Sequence, residues 1–211
     1  YAKRLHREIE VLNVIESKTV SSTFDQTLLD NLVEKWTKSF DLEYGGMARA
    51  PKFMMPSNYQ FLMRFGYQTK NATLLDFVNL TLTKMAYGGL FDTIGGGFSR
   101  YSVDMKWHVP HFEKMLYDNG QLVSLYADAY KLTKNELYKE VIEKTLSFVY
   151  SQLSQTEGGF FCALDADSLD SENQLKEGAF YVSFSLSFFF PCAIRCLHQC
   201  HQPFRSEEHT S

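Results

Sequence analysis

Between Gly95 and Asn119 the chain concentrates side chains that move protons and hold polar ligands. Arg100, Tyr101, Trp107, His111, Glu113 and Asp118 follow Gly95-Gly96-Gly97 with neither a helical nor an alternating period. The three glycines open backbone angles closed to other residues, and a loop that is polar, aromatic and glycine-rich at once is typical of small-molecule sites. Pro110 fits the first turn of a helix, so the spacing predicts a helix from Pro110 to about Lys131 with His111 and Glu113 in that turn. The partial positive charge of a helix start would bias both groups towards accepting protons. His111, Met115 and Asp118 would share one face, with Glu113 and Tyr117 on the adjacent one. Against this stands the plainer reading that the aromatics are core and the charges cap a helix. Downstream, Asp165 and Asp167 sit at alternate positions beyond Gly158-Gly159, where two carboxylates act as acid and base on a glycoside if their separation is right. With Asp170, Ser168 and Glu172 they mimic a calcium loop, but the required glycine and distal Glu are not at the proper spacing, so no metal is expected.

The elements that must position these groups read as helices. Leu5, Ile9, Leu12 and Ile15 recur at helical spacing between Arg4 and about Thr19. A second helix can begin at Ser22 to Asp25, with Leu28, Leu29, Leu32, Val33, Trp36 and Phe40 as a broad buried face. A third, short helix carries Tyr59, Leu62, Met63 and Phe65, and a fourth, capped near Asn71, runs from Leu74 to Met85. After the Pro110 helix, Thr133 and Glu136 introduce a sixth, whose Leu137, Val141, Ile142, Thr145, Leu146 and Val149 face a core. Glycine pairs at Gly45, Gly88 and Gly158 each follow a helical segment, as if helical hairpins presented loops on one side, though the intervals are too uneven for a strict repeat. Paired helices of this kind predict an all-α toroid over a four-helix bundle.

Gly95 to Asn119 also resembles a signature of the spermatogenesis-associated protein 20 family, Gly-Gly-Gly-Phe-His-Arg-Tyr-Ser-Thr-Asp leading through Trp to Val-Pro-His-Phe-Glu-Lys-Met-Leu-Tyr-Asp-Asn. Ala50-Pro51-Lys52-Phe53, Ala163 to Ser168 and Glu177-Gly178-Ala179-Phe180-Tyr181-Val182 agree as well. Ser99 stands where the family usually has His, and His108 falls at a variable position. The resemblance, from about residue 1 to Val182, implies an incomplete (α/α)6 toroid related to six-hairpin glycosidases and to N-acylglucosamine 2-epimerases. Whole members of the family look like a thioredoxin-like domain followed by this barrel, yet no Cys-x-x-Cys occurs here, so the thioredoxin-like part is expected to be missing and to be a partner of this region. The function implied is sugar binding or sugar chemistry of epimerase or glycosidase type. In it Trp107 or Tyr101 stacks on a sugar face, Arg100 binds an anion or hydroxyl, and His111, Glu113, Asp118, Asp165 and Asp167 are the proton-transfer candidates. The rival is a non-catalytic scaffold for the redox half.

Composition narrows the classes further. With 211 residues, 45% apolar and 15% aromatic, the chain can bury a core, and a net charge of −4 provides no basic stripe for nucleic acid and no polybasic membrane patch. The apolar run near Phe184 to Phe190 is too short to span a bilayer. Of four cysteines only Cys162 lies outside the last twenty residues, which implies no disulfide framework and fits a reducing compartment. No cofactor is called for. After Val182 the character changes abruptly, and Arg205 to Ser211 resembles translated adapter sequence. Residues 1–182 are therefore read as the partial barrel and 183–211 as a non-native or disordered tail. Cys192, Cys196 and Cys200 lack zinc-site spacing.

Overall fold

The computed structural model of the chain describes residues 25–182. The expected Arg4–Thr19 helix and the tail after Val182 lie outside them. Compact packing divides the chain after Ser39. The described part of the first unit is helix α1, Gln26–Thr37, whose start is fixed by the Asp25 carboxylate accepting from the Thr27 N–H at 2.9 Å. Val33 is buried, but Leu28 and Leu32 are 58% and 52% exposed. The broad buried face expected here is thus corrected to a narrow one.

The second unit is built on two helical hairpins. Helix α2 (Pro56–Gln68) has Pro56 in its first turn, where the missing N–H costs nothing, and α3 (Ala72–Tyr87) is capped by Asn71 accepting from the Leu74 N–H. Helix α4 (Leu116–Thr133) and α5 (Glu136–Phe148) form the second hairpin, α5 running on into a π turn, Val149–Leu153. Asn135 caps α5, one of the turn residues next to the Thr133 expected for that role. Helix α2 packs on α4 and α3 on α5. Leu62, Leu82, Met85, Leu122, Leu125 and Ala129 lie fully buried between them. Two tyrosines bury their rings in this core and still satisfy their hydroxyls: Tyr126 donates to the Leu82 carbonyl (2.8 Å) and Tyr138 to that of Asn79 (3.2 Å). Leu146 is exposed, so the core face of α5 is Tyr138, Val141, Thr145 and Phe148.

A loop of one recurring design precedes the first hairpin and follows each of the two. In Phe40 to Met47, Asp41 and Gly46 pair main chains, Gly45 N–H returns to the Asp41 carbonyl, and the Asp41 side chain accepts from the N–H groups of Glu43 and Tyr44. The same bonds recur between Asp92 and Gly97, Gly96 and Asp92, and from Ile94 and Gly95 to the Asp92 side chain, within Phe91 to Phe98. A buried lysine locks each turn: Lys52 Nζ to Asp41 (2.6 Å) and the Gly45 carbonyl (2.7 Å), Lys114 Nζ to Asp92 (2.8 Å) and the Gly96 carbonyl (2.9 Å). Ser154 to Phe160 repeats the main-chain part, with Gln155 where the aspartates stand. The glycine pair equivalent to Gly45-Gly46 is therefore Gly96-Gly97, not Gly88-Gly89.

Short strands stitch successive loops together. Strands β1 (Lys52–Phe53), β2 (Tyr101–Ser102) and β3 (Pro110–His111) form an antiparallel sheet in that order. Strand β4 (Lys114–Met115) pairs with β5 (Ala163–Leu164), and β6 (Asp167–Leu169) with β7 (Leu175–Glu177), ahead of the short helix α6 (Ala179–Val182). These strands lie in loops, and the core remains helical. They also overturn the helix expected from Pro110: residues 110–115 are extended, and α4 begins at Leu116, whose N–H is taken by the Cys162 carbonyl at 2.8 Å.

Candidate functional site

The open face of the β1–β2–β3 sheet collects most of the residues singled out by sequence. Side chains alternate across a strand, so Lys52 and Ser102 point into the buried side while Phe53, Tyr101 and His111 fall side by side on the other. The Tyr101 and His111 rings stack at 4.8 Å between centroids and 19°, and Phe53 lies 5.0 Å from Tyr101.

Arg100 precedes this ladder. The Asn119 side chain, fully buried, accepts from the Phe98 N–H (2.7 Å) and donates to the Phe98 carbonyl (3.1 Å), so helix α4 fixes the loop just before it. Arg100 N–H then bonds to the Glu113 carbonyl, and its guanidinium donates to Glu113 Oε2, both at 2.8 Å. The partner of His111 comes from further along the chain. Gly178 has φ +68, and a Cβ there would collide with the Phe112 ring, so only glycine lets this stretch close on Phe112. Phe112 and Tyr181 stack at 5.2 Å, which seats β7 beside β3. Glu177 Oε1 consequently lies 2.7 Å from His111 Nδ1, while Nε2 faces Glu113 Oε2 at 3.7 Å, beyond a hydrogen bond. With Nδ1–H donated to Glu177, Nε2 is the nitrogen left for proton exchange.

Asp118, in the first turn of α4, completes the group. Burial outweighs the attraction of Arg100, and Glu113 adds repulsion, so its carboxyl is pushed up to about 6. Its Oδ2 is buried without a hydrogen-bond partner. Arg100 is held in its charged form by Glu113 first and by Tyr117 after it.

The structure thus brings Arg100, Tyr101, His111, Glu113 and Asp118 together, although the helix start that was to favour proton acceptance at His111 and Glu113 is replaced by strand. Asp167 stands opposite Glu177 on the β6–β7 ladder, one step from His111. Asp165 folds its carboxylate back onto the Asp167 N–H (3.1 Å), which is a turn-forming role. Trp107 requires correction. Its ring is 0% exposed, packs where a Cβ on Gly46 would go, and donates to the Tyr44 carbonyl at 2.8 Å, so it offers no face to a sugar. Sequence reading missed Glu177 and Phe53 as site residues. Their signal was present in the segments Lys52-Phe53 and Glu177-Gly178, each of which is quoted above only as part of the resemblance. A shallow groove of about 230 Å³ between α2 and α4, lined by Met63, Arg64, Tyr67, Asp128, Lys131 and Leu132, shares no residue with this cluster.

Helical hairpins with their loops gathered around such a cluster define the class of α/α toroids, and solved structures agree. A sugar epimerase from a ruminal bacterium superposes with TM-score 0.58 at 18% identity over 66% of this chain and 39% of its own. A cellobiose 2-epimerase from Bacillus thermoamylovorans superposes at 0.56 and 16% identity (72% and 45%), and a family 76 glycoside hydrolase from a bovine Bacteroides thetaiotaomicron strain at 0.55 and 11% (83% and 41%). At these identities the likeness establishes the fold, an incomplete (α/α)6 toroid. No protein-family model matches the chain. Relatives in sequence show the family: human spermatogenesis-associated protein 20 is 43% identical over 161 residues, 74% of this chain, and the mouse protein 41% over 162 residues. An uncharacterized Caenorhabditis elegans protein is 38% identical over 184 residues, 82% of the chain. The chain belongs to the spermatogenesis-associated protein 20 family, and it spans 20% of the length of the human and mouse relatives.

Proposed function

We propose that this region supplies part of a sugar site in a carbohydrate-active α/α-toroid protein, and that His111 is its proton-transfer group. The observation that carries the reading is His111 on an open sheet face, one nitrogen anchored by Glu177 and the other turned towards Glu113. A positioned imidazole with one free nitrogen suits removal of a proton beside a sugar carbonyl, the step epimerisation requires. Glu113 is engaged by Arg100 and Glu177 by His111, which leaves Nε2 the less committed acceptor. The sugar epimerases among the fold neighbours support a sugar ligand.

Glycoside cleavage is the second reading, favoured by one observation. A carboxyl held at about 6, as Asp118 is, serves as a general acid near neutral pH. The two separate in heavy water, with the intact full-length protein given reducing sugars and oligosaccharides and followed by NMR. Deuterium entering at the carbon beside the carbonyl, and lost in His111→Gln, is the expected result. Release of new reducing ends that depends on Asp118 and not on His111 selects cleavage. Indifference to every sugar leaves the region as a scaffold.

A further inference from the structure

We infer that Arg100 is a positioning residue: by holding the Glu113 carboxylate it keeps that group from pairing with His111 and leaves Nε2 open to a substrate. The inference rests on the proton-transfer role given to His111 above, and it gives Arg100 a task other than holding a ligand. The distances carry it. Glu113 Oε2 lies 2.8 Å from Arg100 Nη1 and 3.7 Å from His111 Nε2, so one oxygen stands near two nitrogens and bonds to the guanidinium alone. The main chain fixes that choice, because the Arg100 N–H donates to the Glu113 carbonyl at 2.8 Å and brings the two residues face to face. A second carboxylate competes for the same cation. Asp118 is attracted to Arg100, yet its Oδ2 is buried without a hydrogen-bond partner, so the guanidinium is committed to Glu113.

What Arg100 prevents follows from the other side of the ring. Glu177 Oε1 already accepts at Nδ1, 2.7 Å away, and the Tyr101 ring covers one face of the imidazole. Were the guanidinium absent, Glu113 would be an uncompensated carboxylate beside Nε2. A ring with a carboxylate at each nitrogen is held as imidazolium, both N–H groups donated, and in that state it accepts no proton.

The test needs no substrate. Diethyl pyrocarbonate acylates an imidazole through an unprotonated nitrogen, and peptide mass spectrometry on the intact full-length protein reads His111 separately from His108, which is exposed and serves as the internal reference. At neutral pH, Arg100→Gln is expected to slow the labelling of His111 by about three- to tenfold relative to His108. Arg100→Lys, which keeps a cation for Glu113, is expected to restore the rate. The double variant Arg100→Gln with Glu113→Gln, which removes the competing charge, is expected to restore it as well. A merely structural Arg100 gives a different pattern: faster labelling with a lowered melting temperature, or slow labelling that the double variant does not reverse. Either result overturns the inference, as does an unchanged rate in Arg100→Gln. A wild-type His111 that resists the reagent while His108 reacts shows Nε2 closed and overturns it too. The sugar reading falls or stands separately, on the deuterium experiment: labelling that follows the expected pattern in a protein indifferent to every sugar keeps the role of Arg100 and removes the substrate class.

Discussion

A carboxyl group partly removed from water, with one oxygen lacking a partner, holds its proton to a higher pH than it does in the unfolded chain. For Asp118 the folded value is about 6 against an ordinary 3.8, burial being the first cause, with Arg100 opposing and Glu113 reinforcing it. The sign follows directly. Between the two values the folded state binds the extra proton, so ionised Asp118 costs stability in full above about 6, and the cost fades to nothing below 3.8. Asp118→Asn is therefore expected to raise the melting temperature at pH 7 to 8, the gain shrinking as pH falls through 6 and vanishing near 4. A gain independent of pH would assign the effect to packing instead. At this scale chemistry and spacing single out Arg100, His111, Glu113 and Asp118 as candidates, and the fold places them in one neighbourhood. Sequence misjudged Trp107, since whether an indole faces a ligand or the core depends on Gly46, far away in the chain.

Helices were legible for the reason that their information is local. Asn71 caps α3, Pro56 opens α2, and the apolar spacing of Leu62, Leu122 and Val141 marks the buried sides. The strands were not legible, because each is two or three residues long and exists only through a partner distant in sequence. Pro110 satisfies the rule for a helix start, yet it pairs with Ser102 instead, and Lys114–Met115 must stay extended to meet β5. The lysine clasps were hidden in the same way. Each joins residues on either side of a loop, and burying a cation is stabilising only with its aspartate in place. Lys114→Met removes the cation and leaves the Asp92 carboxylate largely out of water, so a loss of about 3 to 5 kcal/mol is expected in chemical denaturation. The double variant Lys114→Met with Asp92→Asn is expected to recover part of that loss, and a double variant no better than the single would show that the lysine stem, not its charge, matters.

Taken as one molecule, the second unit is a series of loops in which the strand bearing one clasp lysine pairs with the strand that follows the next glycine turn, β1 with β2 and β4 with β5. Order in one loop is thus passed to its neighbour through main-chain bonds, and the site on β1–β2–β3 draws on two of them at once. The chain covers 20% of the length of the human relative that it matches. Among the described residues no helix is long and apolar enough to cross a membrane.

Lys52 and Lys114 expose 1% and 2% of their side chains, whereas that of Lys131 is 74% exposed. An amine-acylating reagent can therefore reach the first two only when a loop opens. Their labelling, followed by mass spectrometry in the intact protein, becomes a clock for that opening. Lys131 is expected to react at once, and Lys52 and Lys114 orders of magnitude later. If the two late amines react in step, the loops breathe together; if Lys52 runs ahead, the rim unzips from that end.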